Sequence, residues 1–281
     1  MIRVDAHHHF WDPARKDYHW MPGDHPVLTR TYGPLDLAPL LDAHGISKTI
    51  LVQAAQTIEE TEYLLGIADA TPSVAAVVGW IDFENKGHLG QLQRLKSHPK
   101  FAGVRPMIQD IADDGWMLRK DVQWAFSALV DLDLTFDALG FPRHLENFLT
   151  VFKRYPDLRA VIDHCMKPQI GNAGTKDAGF DFWAKGMARL ARETGAFCKL
   201  SGIVTETLGG WSAEKLRPYA AHVLGAFGPD RVMWGSDWPV CLLQSDYGAW
   251  HLAANSLCDG LDNANRGKVF GGTALAFYNR R

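Results

Sequence analysis

The first twelve residues, Met1-Ile2-Arg3-Val4-Asp5-Ala6-His7-His8-His9-Phe10-Trp11-Asp12, decide between two folds. A short apolar opening strand suits both an open doubly wound sheet and a closed (β/α)8 barrel. The doubly wound fold usually carries a glycine-rich phosphate loop directly after that strand. Here the position holds His7-His8-His9-Phe10-Trp11-Asp12 and no glycine. Imidazoles there suit a barrel, whose chemistry sits at the C-terminal ends of its strands. Residues two apart on a strand share a face. His7 and His9 are therefore expected to point one way together with Asp5, and His8 the other.

Working outward, the pattern of that strand recurs. Residues 2–9, 49–54, 74–81, 101–107, 134–139, 159–164, 197–201 and 231–237 are short segments rich in Val, Ile, Leu and Phe. Near-continuous apolar runs are the mark of strands buried on both faces. Amphipathic helices lie between them. Leu145, Phe148, Leu149 and Phe152 fall at i, i+3, i+4 and i+7, and Trp183, Met187, Leu190 and Ala191 keep similar spacing, as do Leu216, Ala220, Val223, Leu224 and Phe227. Gly45, Gly195 and Gly228 follow three helices, where helix-stopping residues belong. Alternation over 281 residues, near the ~250 typical of one barrel, predicts the α/β class and a single (β/α)8 TIM barrel over residues 1–281. Residues 11–35 form a long loop after the first strand, and Tyr18, His19 and Trp20 within it predict an ordered cap over the site.

Composition narrows the function. Net charge is −3 and 22% of residues are charged, with no basic stripe for nucleic acid. No apolar run approaches the ~18 residues of a membrane helix, and the N-terminus reads as a strand without the apolar region of a signal peptide. Cys165, Cys198, Cys241 and Cys258 form no C-x-x-C pair; free thiols in a reducing cytoplasm are expected.

Three strand ends carry chemistry. His7 and His9 on one face suit a divalent ion, since neutral imidazole is the commonest metal ligand. His164 ends the sixth segment, and as a lone residue it also suits a satisfied core position. Asp237 ends the eighth, after Gly235-Ser236 and before Trp238-Pro239. It suits a metal ligand, a general base or a helix N-cap. A closed barrel makes strands one and eight neighbours, so His7, His9, His164 and Asp237 converge at its mouth. Arg105 and Lys199 lie in strand segments, where long charged side chains are either functional or paired with buried carboxylates.

These residues carry a family resemblance. Asp5-Ala6-His7-His8-His9-Phe10-Trp11-Asp12 resembles the D-x-H-x-H-F-W-D opening of the amidohydrolase superfamily in its sugar-lactonase branch, Val161-Ile162-Asp163-His164 with Lys167-Pro168 its D-H-x-x-K-P, and Trp234-Gly235-Ser236-Asp237-Trp238-Pro239 its G-S-D-W-P. Gly103-Val104-Arg105, Lys199-Leu200-Ser201-Gly202 and Gly272-Thr273-Ala274 fit as well. The ordered set spans the chain and is specific where each motif alone is not. Strand four offers Arg105 and Met107 with no lysine, and strand five Asp137 with no histidine, so a two-metal site is not implied.

The resemblance implies hydrolysis of a sugar lactone, with an L-fuconolactone as first candidate. Asp237 would activate water. His7, His9, His164 and Asp237 would hold one divalent metal, Zn2+ by ligand type, which some relatives in this branch do without. His164, Arg105 and Lys199 are the oxyanion donors in its absence. Trp11, Gln53, Lys199 and Trp238 are expected beside the sugar, with Trp80 and Asp137 further candidates. Metal-dependent decarboxylases and dicarboxylate lactonases of the same superfamily are the alternatives, and a barrel that only binds a ligand is a third. The expected partner is a small sugar lactone, with no nucleic acid and no membrane; a homo-oligomer is left open.

Overall fold

The computed structural model describes residues 2–171 and 179–279. Among these, eight strands form one parallel sheet in chain order: β1 (Val4–His8), β2 (Lys48–Val52), β3 (Val74–Gly79), β4 (Phe101–Val104), β5 (Thr135–Ala138), β6 (Arg159–Ile162), β7 (Phe197–Leu200) and β8 (Val232–Trp234). Helices follow the strands: α1 (Pro34–His44), α2 (Ile58–Ala70), α3 (Leu89–Lys96), α4 (Gln123–Asp131), α5 (Leu145–Arg154), α6 (Phe180–Glu193), α7 (Ala213–Phe227) and α8 (Tyr247–Leu257), then α9 (Asn263–Gly267) and α10 (Thr273–Tyr278). This is the (β/α)8 barrel.

Each helix buries the stripe its spacing marks. On α5, Leu145, Phe148, Leu149 and Phe152 are buried; on α6, Trp183, Met187, Leu190 and Ala191. Gly45 caps α1 in the left-handed region, at φ 65°. Several strands are shorter than their apolar runs. The fourth ends at Val104 because Pro106 has no N–H to donate. His164 and Asp237 lie in turns beyond β6 and β8.

The last strand joins the first through backbone bonds at the C-terminal rim. The Asp237 N–H donates to His7 O at 2.7 Å and the His9 N–H to Trp238 O at 2.7 Å. Between β1 and β2, Asp5 pairs with Thr49 but His8 with Leu51, so β1 spends one extra residue. That bulge overturns the simple alternation expected for the strand. Val4 and Ala6 face the barrel interior with Ile50, Val52, Ala76, Val78 and Met233. Past the bulge, His7 and His9 face inward too. Asp5 therefore does not share their face: its carboxylate turns outward, accepting from Ser236 N at 2.8 Å, His7 N at 3.2 Å and the Tyr247 hydroxyl on α8 at 3.1 Å. His8 is buried on the helix side against Phe10.

The seam needs glycine at position 235. A Cβ there would lie 2.7 Å from His7 Cβ and 2.9 Å from His7 N. Gly235→Ala is expected to cost about 1–3 kcal/mol of stability, read by urea denaturation, and to lower activity by displacing His7. Wild-type values of both would refute this close-contact argument.

Candidate active site

His7, His9, His164 and Asp237 meet at the C-terminal mouth of the barrel, as the strand-end argument requires. Nε2 of His7 and Nε2 of His9 are 3.2 Å apart. Asp237 Oδ1 lies 3.7 Å from His7 Nε2, 3.4 Å from His9 Nε2 and 3.8 Å from His164 Nε2. Ligands at tetrahedral zinc distances stand about 3.4 Å from one another; His7, His9 and Asp237 form one such group, and His7, Asp163 and His164 a second that shares His7. His7 Nδ1 faces both Lys199 Nζ at 3.0 Å and Asp163 Oδ1 at 3.4 Å, while the far nitrogens of His9 and His164 are held as ligand histidines require. His9 Nδ1 donates to Val52 O at 2.8 Å, which leaves the Nε2 lone pair free. His164 Nδ1 is 2.9 Å from Ser201 Oγ.

The backbone at these positions is strained. His164, Cys165, Met166 and Lys167 are consecutive left-handed residues, at φ 50°, 52°, 61° and 45°, and Asp237 has φ 56°. Each costs roughly 1–2 kcal/mol outside glycine. Surrounding bonds hold the turn: Trp183 Nε1 donates to Cys165 O at 2.7 Å and Lys167 N to His164 O at 2.8 Å. Gly202, at φ 63°, leaves room for the imidazole, because a Cβ there would sit 2.4 Å from His164 Nδ1.

Electrostatics favour ligand-ready groups at neutral pH. Burial lowers His7, with the Lys199 ammonium beside it adding to the effect. Burial likewise lowers His9, and His164 to about 4. Burial alone would raise Asp237, but His164 and the hydrogen bond from His9 outweigh it and hold the carboxyl well below its usual range. The site presents neutral imidazoles and an ionised carboxylate.

A cavity of about 170 Å³ opens over it. Arg105, His9, His164, Asp237, Gln109 and Lys167 supply its polar wall; Trp20, Ala54, Met107, Leu139 and Val240 supply the apolar one. The loop after β1 is the ordered cap its aromatics predict. Trp11 and Tyr32 form an antiparallel bridge, and Trp20 Nε1 reaches Ala54 O at 2.6 Å.

Four residues expected beside the sugar are not on this wall. Trp11 and Trp238 are buried among aromatics, each edge-on to Tyr32. Gln53 is buried, with its amide on Arg105 O at 2.6 Å. Lys199 is fully buried beneath the site: Nζ lies 2.5 Å from Asp137 Oδ2, 3.0 Å from Asp163 Oδ1 and 3.0 Å from His7 Nδ1. Its two carboxylates account for a lysine in a strand. Arg105 combines both readings, lining the cavity while Nη1 sits 3.5 Å from Asp163 Oδ2 and 3.3 Å from His7 Nε2. Trp80 lies in a separate groove with Asp82 and Trp116. The sequence reading assigned no role to Gln109, Lys167, Leu139 or Val240. The D-H-x-x-K-P motif pointed at Lys167, but the left-handed turn that aims it has no glycine to announce it.

With the fold and the site in place, the chain is assigned to its class: residues 4–280 match the amidohydrolase family, and the chain belongs to it. It is 43% identical over 281 residues to an L-fucono-1,5-lactonase of Burkholderia ambifaria, covering 99% of this chain and 95% of that one. A Burkholderia multivorans amidohydrolase crystallised with bound zinc superposes with TM-score 0.91 at 34% identity over all of both chains. A dihydroxybenzoic acid decarboxylase of Polaromonas with bound manganese superposes at TM-score 0.69 with 15% identity, covering 100% of this chain and 98% of that one, a likeness of fold alone.

Glu60, on α2, ties the loop after β2 to the site by accepting from Ala54 N at 2.9 Å. Burial pushes its carboxyl from 4.5 up to about 8. Between these values folding takes up a proton, so the stability this group contributes below pH 4.5 is lost as pH rises toward 8. Glu60→Gln lacks that dependence. Its melting temperature relative to wild type is expected to climb steadily from pH 5 to pH 8; a constant difference would contradict the shift.

Proposed function

We propose that this enzyme is a lactonase that opens a sugar aldonolactone, L-fucono-1,5-lactone foremost, to the sugar acid. One observation carries the reading: Asp237 lines the cavity, and its Oδ1 stands 3.4–3.8 Å from three buried imidazole nitrogens. The 43% identical L-fucono-1,5-lactonase supports the substrate class.

Asp237, ionised at neutral pH, takes a proton from water as the oxygen attacks the lactone carbonyl. Arg105 on the same wall stands where an oxyanion develops, with His164 as a second donor when no ion is bound. Collapse of the tetrahedral centre breaks the ring ester bond. The departing ring oxygen takes back the proton held by Asp237, which is thereby ready for the next water. His7, His9, His164 and Asp237 would hold a single divalent ion, zinc by donor type, which supplies Lewis acidity toward water and carbonyl. In the structure two cations flank the His7 ring, Arg105 Nη1 3.3 Å from Nε2 and Lys199 Nζ 3.0 Å from Nδ1, and both compete with an ion for its single lone pair. This supports turnover that persists in part without metal. Trp20 offers a flat apolar surface to one sugar face, while Gln109 and Lys167 offer hydrogen bonds to hydroxyls.

Residues 1–281 are read as one domain, because the seam ties residues 7–9 to residues 237–238. Four buried free cysteines fit a reducing cytoplasm. No helix among the described residues is long and apolar enough to cross a membrane.

A pH-indicator assay on a panel of aldonolactones, with and without chelator, tests the reaction. Acid release is expected, fastest on the L-fucono ring; carbon dioxide release from an aromatic acid with inert lactones would replace this reading by decarboxylation. Asp237→Asn is expected to lower kcat about 10²–10⁴-fold, and near-normal turnover would remove its role as base. Trp20→Ala, which gives up about 1.5 kcal/mol of apolar contact, is expected to raise KM about tenfold with kcat little changed; an unchanged KM would take Trp20 off the binding wall.

A further inference from the structure

We infer that Tyr278, on the floor of the barrel opposite the cavity, is a positioning residue for the active site and acts through Asp137 and Lys199 on His7. The inference builds on the assignment of His7 to that site. Helix α10 closes the bottom of the barrel. Ala274, Phe277 and Tyr278 pack into the inner apolar cluster with Val4, Ile50 and Ala76, and the Phe277 ring lies 4.7 Å from that of Phe197. Arg159 at the start of β6 binds the Phe277 and Asn279 carbonyls and so clamps the end of α10 from outside the cluster.

From that fixed helix a line of polar groups climbs the barrel axis. The Tyr278 hydroxyl donates to Asp137 Oδ2 at 2.7 Å. The same oxygen lies 2.5 Å from Lys199 Nζ, and Lys199 Nζ lies 3.0 Å from His7 Nδ1. Asp137, Lys199 and His7 are fully buried and Tyr278 is 4% exposed. No link exceeds 3.0 Å, and the line joins residue 278 to residue 7 across the whole sheet.

An apolar plug does not need the hydroxyl, since phenylalanine fills the same space. A hydroxyl placed in a core is costly unless bonded, and here its bond goes to the carboxylate that anchors the lysine behind His7. Among the described residues Asp137 Oδ1 has no hydrogen-bond partner, so Oδ2 carries the interaction. With the hydroxyl gone, Lys199 becomes the sole donor to Asp137 and is drawn toward the floor, away from His7. The imidazole then keeps Asp163 Oδ1, 3.4 Å from its Nδ1, but loses the ammonium that shares that carboxylate and fixes the ring's rotation. Burial, opposed by the Lys199 ammonium, sets the Asp137 carboxyl at about 6, and burial raises Tyr278 well above its ordinary range, so the phenol remains the donor.

The test uses the full-length enzyme, an aldonolactone as substrate and zinc ion as probe. Wild type, Tyr278→Phe, Asp137→Asn and Asp237→Asn are compared for kcat, KM, zinc affinity by competition with a colorimetric chelator, and melting temperature. Tyr278→Phe is expected to keep KM within about twofold, to lose kcat about tenfold and to bind zinc about tenfold more weakly, the range of outer partners of metal ligands. Wild-type kcat and zinc affinity in a folded Tyr278→Phe, whatever its melting temperature, overturn the inference and leave Tyr278 as a plug. Should that variant not fold, Asp137→Asn carries the same expectations and the same refutation. Where wild type takes up no zinc, the split of kcat from KM decides alone. An inactive Asp237→Asn beside a fully active Tyr278→Phe rejects the positioning role only; an active Asp237→Asn rejects the site assignment beneath it.

Discussion

Two backbone hydrogen bonds, Asp237 N–H to His7 O and His9 N–H to Trp238 O, set both the fold and the site. They join β8 to β1 at the rim and so remove the edges an open sheet would expose. Three of the four residues that make them, His7, His9 and Asp237, are also residues of the candidate site. A closed barrel and an assembled donor set are therefore one event: His7, His9 and Asp237 have their spacing because the ring is closed. Asp5 supports the seam from outside, binding both His7 N and Ser236 N with one carboxylate oxygen. The bulge that turns Asp5 outward is what lets Val4 and Ala6 fill the core while His7 and His9 still face the axis.

The interior is split by this arrangement. On the β1–β3 side it is apolar, lined by Val4, Ala6, Ile50, Val52, Ala76 and Val78. On the side of β5–β7 it holds Asp137, Asp163 and Lys199, with Arg105 above them. Burying charge is tolerable only when partners are close. With the imidazoles neutral, three carboxylates (Asp137, Asp163 and Asp237) face two cations (Lys199 and Arg105), leaving one negative charge at a site whose three neutral nitrogens suit a divalent ion.

The barrel and the heart of the site were legible because each depends on local pattern. Apolar runs alternating with helical stripes mark the strands and helices. His7 with His9, His164 and Asp237 stand at run ends, and ring closure does the rest. What escaped the sequence depends on contacts between distant residues or on backbone conformation. No residue type announces the extra residue between Asp5 and His8. The four left-handed residues from His164 to Lys167 include no glycine. Lys199 read equally as a ligand-facing or a paired cation; which carboxylates pair it was hidden, because they come from β5 and from the turn after β6, 62 and 36 residues away in the chain. Trp11 and Trp238 sit beside site residues in sequence, but both lie beyond the ends of their strands, where the turns pack them into the aromatic cluster with Tyr32.

The seam also has a meaning in time. The paired histidines are made more than two hundred residues before Asp237. At ~5–20 residues per second that separation is roughly 10–50 seconds of translation. Throughout it, β1 has no β8 to lie against, and two imidazoles two residues apart stand on an unfinished ribbon, open to any soft cation in the surrounding fluid. Only after β8 is made does the carboxylate that faces both imidazoles appear. His7 and His9 are thus made early and Asp237, which faces them across the seam, late.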